Sequence, residues 1–214
     1  MGTLQIITSL KLCLYNYPIE NIFNYFFSIC LSSLTINILS TRDIKMPHKI
    51  LIAPASGEKA VQHLKKTVEK LWTIEELRKI KPDLPDELVG KLKQQQFAIW
   101  GIMYGKRAEK TWNALEEGDI VLFYSKGKII YWGFIIGKMH DEELAEKLWG
   151  RSNGRTWEYI FFIGNVKRVN IPFSEFVKRF LDYSERFIPV GHTLVKKERI
   201  KAEFDNIIKF LEKE

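Results

Sequence analysis

Three stretches in the second half of the chain are apolar at consecutive positions, and they limit the possible folds more than any other feature. GDIVLFY starts at Gly118, IIYWGFIIGK at Ile129, and TWEYIFFIGNVKRVNI runs from Thr156 to Ile171. Each is too short for a membrane span and too rich in β-branched and aromatic residues for a surface helix, so each is a strand. A strand with one wet face alternates apolar and polar side chains, whereas these runs do not alternate, so both faces of the sheet must be covered. Lys126 and Gly127 make the first two runs a hairpin, and Gly164 with Asn165 marks a bulge in the third.

Other elements are placed around this sheet. KILIAP near Lys49 and FAIWGIM from Phe97 are two further strands. Val61, Leu64, Val68 and Leu71 predict one amphipathic helix from about Gly57 to Trp72, and Thr73 with Glu76 forms a capping box for a second helix. Pro82 and Pro85 separate that helix from another ending near Gln96. Later helices are expected over about 107–115, 141–148, 174–181 and 197–211, the second of these capped by Asp141. The fold class is α+β: a small mixed β-barrel flanked by helices. Residues 46–96 are expected to be a strand-helix lead-in packed on that barrel, and 97–214 the barrel with its C-terminal helices.

Charge divides the chain at another place. Residues 1–45 carry five charged side chains (Lys11, Glu20, Arg42, Asp43 and Lys45) and the remaining 169 carry fifty-four. Asn21–Thr41 is an uncharged run of 21 residues, long enough for a bilayer, but asparagine, serine and threonine interrupt it. Residues 1–45 are therefore read first as an extension upstream of a true start at Met46, with a weak membrane segment or a genuine helical extension as alternatives. Both cysteines, Cys13 and Cys30, fall there, leaving the rest without a disulfide, a thiol nucleophile or a cysteine zinc site. This fits a reducing, cytoplasmic setting.

Catalytic motifs are scarce. GRSNGRT, from Gly150 to Thr156, invites comparison with a phosphate-binding loop, but it is one residue short, carries arginine for lysine, and follows a helix instead of a strand. His48, His63, His140 and His192 are scattered, and His63, four residues before Thr67, reads as a packed or capping histidine. No Glu-x-Lys triplet of a metal-dependent nuclease occurs. The expectation is a non-enzyme without metal or cofactor.

The net charge of +7 suits a polyanion partner, although ordinary solubility charge explains it equally well. Aromatic placement is more specific. Five of six tryptophans lie between residues 100 and 157. Trp112 belongs to a helix face and the core. Trp100 ends a strand before Gly101, and Trp149 ends a helix before a loop of glycine, serine and asparagine that holds Arg151 and Arg155. Aromatic walls with adjacent cations are what single-stranded or flipped bases require. Arg151 and Arg155 are expected on the backbone phosphates, as are Lys106, Arg107 and Lys110 beyond Trp100, and Ser152 and Asn153 at phosphate or base edge.

FAIWG, GDIVLFY with its hairpin partner ending YWGFIIGK, and LWG followed by WEYIFFIGNVKRV resemble, in that order, the PUA-like superfamily, particularly its EVE and YTH branches. The nearest resemblance is to the N-terminal DNA-binding domain of McrB-type restriction GTPases, without their GTPase motor. The resemblance implies a reader that accepts a base, often methylated, in an aromatic cage. Trp100 matches the cage position at the end of the first barrel strand and Trp149 the loop position, while Trp157 matches either the cage or the structural strand tryptophan. Trp132 and Tyr124 are further cage candidates. Partners implied are DNA or RNA and a separate NTPase or nuclease subunit. A PUA-like RNA-binding module without selectivity, and a protein-interaction domain, stay open.

Overall fold

A computed structural model describes residues 49–213, which lie within one compact unit, Lys45–Glu214. The expectations for residues 1–45, including the uncharged run and both cysteines, lie outside the described residues. Among the described residues no helix is long and apolar enough to cross a membrane.

The chain begins with β1 (Ile50–Pro54) and α1 (Glu58–Leu64), which continues into a π-helical turn at Lys65–Glu69. Next come α2 (Ile74–Ile80), α3 (Asp86–Leu92), β2 (Ala98–Ile102) and α4 (Lys106–Ala114). The hairpin β3 (Ile120–Ser125) and β4 (Lys128–His140) leads to α5 (Glu142–Trp149), β5 (Tyr159–Pro172) and α6 (Phe173–Phe180). A short β6 (Thr193–Val195) and α7 (Phe204–Lys213) complete the described part. Six strands form one mixed sheet in the order β2-β5-β4-β3-β1-β6, curled into a half-barrel with helices around it. The β1–β3 pair is parallel and the other neighbours are antiparallel.

Covering both faces accounts for the apolar strands. Inside the curl, Leu51 and Ala53 of β1, Trp100 of β2, Phe123 of β3 and Phe161 of β5 share one core, closed by Leu64 and Val68. Outside, the β1, β3 and β4 residues Ile52, Leu122 and Trp132 pack on Phe176, Phe180, Ile207 and Phe210 from α6 and α7. Ile99 of β2 with Ile160 and Phe162 of β5 packs on Leu77, Leu92, Leu144 and Leu148 from α2, α3 and α5. Each fully buried aliphatic or phenyl side chain contributes about 1.5–3 kcal/mol relative to exposure. A polar residue on either face of these strands would forfeit that amount.

Local signals act as expected at several junctions. Thr73 and Glu76 make the reciprocal capping box of α2, and Asp141 accepts the Leu144 amide at 2.6 Å to cap α5. Between Trp132–Lys167 and Phe134–Gly164, β5 spends one residue more than β4, and Asn165 there takes φ 52°. This is the bulge expected at Gly164–Asn165.

Other boundaries move. β1 is no lead-in packed on the barrel: it sits in the sheet between β3 and β6, so residues 46–96 and 97–214 build one fold. The helix expected to run to Trp72 leaves α geometry after Leu64 and stops at Lys70. The helix expected over 197–211 is a 3-10 turn, Lys197–Arg199, and then α7. Between them Ile200 bridges to Leu181 and the Lys201 amide donates to the Phe180 carbonyl, so the end of α6 takes the backbone groups a continuous helix would use. The three residues of β6 are too few to carry a strand pattern.

Candidate functional site

At one mouth of the inner core, three tryptophans from three separate segments meet one histidine. Trp100 comes from β2, Trp149 is the last residue of α5, and Trp157 precedes β5. The His63 ring lies 4.3 Å from Trp157, edge to face, 5.8 Å from Trp149 and 6.4 Å from Trp100, centroid to centroid. His63 is only 8% exposed. Trp149 and Trp157 are half-buried and Trp100 is buried against Phe123, so the cluster is walled on the core side and reaches solvent through its two outer indoles.

Backbone and hydroxyl contacts fix the walls. The Trp149 Nε1–H donates to Thr67 Oγ1 at 3.3 Å, and Thr67 in turn donates to the His63 carbonyl at 2.9 Å. Thr67 is fully buried in the π-helical turn that follows α1. Gly101 sits against the Trp149 indole and the Trp157 backbone: a Cβ there would lie 2.7 Å from Trp149 Cζ3 and 2.3 Å from the Trp157 carbonyl oxygen. Only glycine lets β2 approach them. Trp100 Nε1–H donates to His192 Nε2 at 3.0 Å, joining the β2 edge of the sheet to the segment entering β6 at the other edge. Because that nitrogen accepts, the His192 proton sits on Nδ1.

Both histidines are held neutral at pH 7. Burial, with Lys66 and Lys59 nearby, lowers His63 to about 4, and burial lowers His192 to about 4. The charged rings would lose hydration that nothing in the cluster replaces. Cations border the same mouth. The Lys59 ammonium donates to Ser152 Oγ at 2.7 Å, and that of Lys66 donates to the Leu148 carbonyl.

The stretch between the tryptophans is ordered by its own chemistry. Asn153 and Gly154 take φ 52° and 73°, and Ser152 and Arg155 exchange backbone hydrogen bonds across them. This is the two-residue hairpin turn that Asn-Gly favours, because both central residues need positive φ. Thr156 Oγ1 donates to the Gly150 carbonyl and closes the base. The loop of glycine, serine and asparagine is thus a tight turn.

The expected residues therefore separate. Trp100, Trp149 and Trp157 come together. Trp132 and Tyr124 do not: side chains alternate along a strand, and these two point to the outer face. Trp132 is fully buried in the outer core with an unpartnered Nε1, and Tyr124 packs edge to face on Phe173. Arg151 is engaged by Glu142 and Glu146, each at 2.8 Å, and donates to the Gly154 carbonyl, which leaves its charge compensated. Arg155 is exposed, as are Asn153 and, on α4, Lys106, Arg107 and Lys110. Tyr104, just before α4, is 55% exposed and stacks on Tyr159. Trp112 is half-buried, donating Nε1–H to the Ile160 carbonyl, with the Lys138 ammonium over its ring.

Sequence reasoning missed four participants: His63, Thr67, His192 and Lys59. For the first two there was a signal, since a buried-looking histidine and threonine four apart occupy the same strip of one helix face. For His192, 92 residues from Trp100, there was none. Among the described residues, no three His, Cys, Asp or Glu side chains are grouped to hold a metal ion. No protein-family model matches the chain, and no curated protein matches it.

Proposed function

We propose that this chain is a nucleic-acid reader of PUA-like fold, of the EVE or YTH kind, which takes one base into the tryptophan cluster and acts without catalysis. The observation that carries the reading is the occupant of the cluster. Three indoles from distant segments surround a planar, neutral nitrogen heterocycle, the ring of His63, with the cations of Lys59 and Lys66 beside it. A site that accepts an imidazole in this way is shaped for a flat heteroaromatic ring, and the bases of nucleic acids are the common ligands of that kind. The His63 side chain swings aside on binding and the base stacks on Trp149 and Trp157, while Trp100 forms the floor. A methyl group on the base adds about 0.8 kcal/mol if it is buried among the indoles, which is roughly fourfold in affinity. DNA or RNA with a modified base is the proposed ligand, and a separate NTPase or nuclease subunit the proposed effector.

Binding of short DNA and RNA strands, methylated and unmethylated, followed by fluorescence anisotropy, tests the reading. Trp149→Ala weakens binding by about 5- to 150-fold, the loss of one stacking partner worth 1–3 kcal/mol. His63→Ala, which removes the occupant, binds tighter than the wild type. Equal affinity of all four oligomer types leaves a PUA-like RNA-binding module or a non-selective binder. Loss of the folded state in Trp149→Ala without any prior nucleic-acid binding makes the cluster a structural core instead.

The two arginines of the turn have different expected effects. Arg155→Ala lowers the slope of log affinity against log salt by about 1, the signature of one phosphate contact. Arg151→Ala leaves that slope unchanged, because Glu142 and Glu146 already compensate its charge.

A further inference from the structure

Besides Tyr104, the only large hydrophobic side chains exposed among the described residues are Ile188, at 66%, and Val190, at 75%. They stand two apart in FIPVGH, the segment before β6, and Pro189 between them is buried. The tip is anchored on both sides. Phe187 stacks on Tyr183 with centroids 4.4 Å apart and also meets Phe173, and the Arg199 guanidinium lies over Tyr183. Two residues beyond Val190, His192 accepts the hydrogen bond from Trp100, a wall of the cluster. Just beyond His192, the Thr193 hydroxyl lies 3.4 Å from the Gly191 carbonyl oxygen and 3.5 Å from that of Val190, and donates to one of them. Two exposed aliphatic side chains on a braced tip, tethered to the cluster, form a device for insertion into something apolar. Stacked base pairs offer such a space, and a base drawn out of a duplex leaves one.

We propose that Ile188 and Val190 form a wedge that enters a nucleic-acid duplex beside the base taken up at the tryptophan cluster and fills the stacking space this base vacates. The inference rests on the reading of the cluster given above. Charge favours this occupant over an apolar protein partner: Arg186, Lys197 and Lys201 are exposed and form no ion pair among the described residues, whereas Arg199 is held by Asp182 at 2.9 Å and Lys196 lies 3.9 Å from Glu198. Phosphates flanking the wedged step would meet those cations. The hydrogen bond from Trp100 to His192 ties the wedge to the floor of the cluster, so both engage the same duplex site.

The test compares wild type with Ile188→Ser/Val190→Ser, each titrated with a duplex and with the matching single strand carrying the same favoured base. A 2-aminopurine next to that base reports unstacking. The double variant is expected to bind the duplex about 10- to 100-fold more weakly and to lose the 2-aminopurine signal, the unstacking no longer being compensated, while single-strand affinity stays within about twofold. Unchanged duplex affinity, or equal loss on both ligands, overturns the wedge and leaves the cluster reading in place. A wild type that binds the single strand but no duplex also overturns it, and one that binds neither overturns both. A change of oligomeric state in the variant, with duplex binding intact, assigns the tip to self-association.

Discussion

Gly101→Ala is expected to be the most damaging single-methyl change at the site. The new Cβ would meet the Trp157 carbonyl oxygen at 2.3 Å, Trp149 Cζ3 at 2.7 Å and Trp157 Cβ at 2.8 Å. One of these atoms belongs to the backbone and one begins a side chain, so no rotamer change relieves them both. Overpacking of this kind costs about 1–3 kcal/mol and occasionally more. Here the strain falls on the Trp149 indole and on the backbone that carries Trp157, so base binding falls together with the urea midpoint. Gly90→Ala in α3 is the control: a Cβ there meets nothing within 4 Å, and the helix is expected to gain up to about 1 kcal/mol. If Gly101→Ala melts and binds like wild type, the close packing of Trp149 and Trp157 on β2 is wrong.

The second large effect is a loss of stability in mild acid. His63 and His192 each titrate near 4 in the folded chain, against about 6.5 for an ordinary histidine. Between those values the unfolded chain binds protons that the folded one refuses, so stability rises with pH across this window. It is fully present above about pH 7 and declines as pH falls from 6.5 to 4. Below 4 both states are protonated and the histidines contribute no further decline. For His63, which is almost wholly buried, the change is on the order of 3 kcal/mol, and half-buried His192 contributes less. Protonation of His192 Nε2 also removes the acceptor for Trp100, so the cluster loosens in the same range.

The carboxylates of Glu75, Glu76, Asp83, Glu87 and Glu146, held below their usual range by hydrogen bonds and neighbouring cations, act with the same sign. They do so mainly at lower pH, since an ordinary carboxyl is half protonated only near about 4–4.5 and takes few protons above about 5.5. Denaturant midpoints measured from pH 7 to about 5.5 separate the two sets. His63→Gln/His192→Gln is expected to be nearly flat there, and a wild-type slope retained by that variant would remove the histidines as its source.

Element type was legible where one local rule acted alone. The capping box at Thr73, the cap at Asp141 and the bulge at Asn165 each involve groups a few residues apart, and their chemistry survives any tertiary context. The Asn-Gly pair in the turn was equally local, a strong turn signal inside the loop between the two tryptophans. Element ends were less legible. The continuous periodicity over 57–72 and 197–211 takes no account of competitors for backbone hydrogen bonds, and both helices end where other groups intervene.

The site divides in the same way. That Trp100 and Trp149, each followed by glycine and basic residues, would share one site was an expectation from the sequence, and with Trp157 they converge on His63. That Trp132 and Tyr124 face away could not be read reliably, because the runs holding them are apolar on both faces and alternation carries no polarity signal. Arg151 looked like a free cation because its partners, Glu142 and Glu146, lie on the preceding helix and meet it only when Gly150 turns the chain back.

By itself, the sequence determined that the sheet must be covered on both sides, since its strands alternate nothing, and it determined the turns and caps, whose hydrogen bonds close within a few residues. Only the tertiary structure decided that β1 lies inside the sheet, that His63 fills the space among the three indoles, and that His192 reaches Trp100 across 92 residues. The reason is physical: hydrophobic burial is non-directional and reports which residues go inside, whereas which face meets which partner depends on how the whole sheet curls.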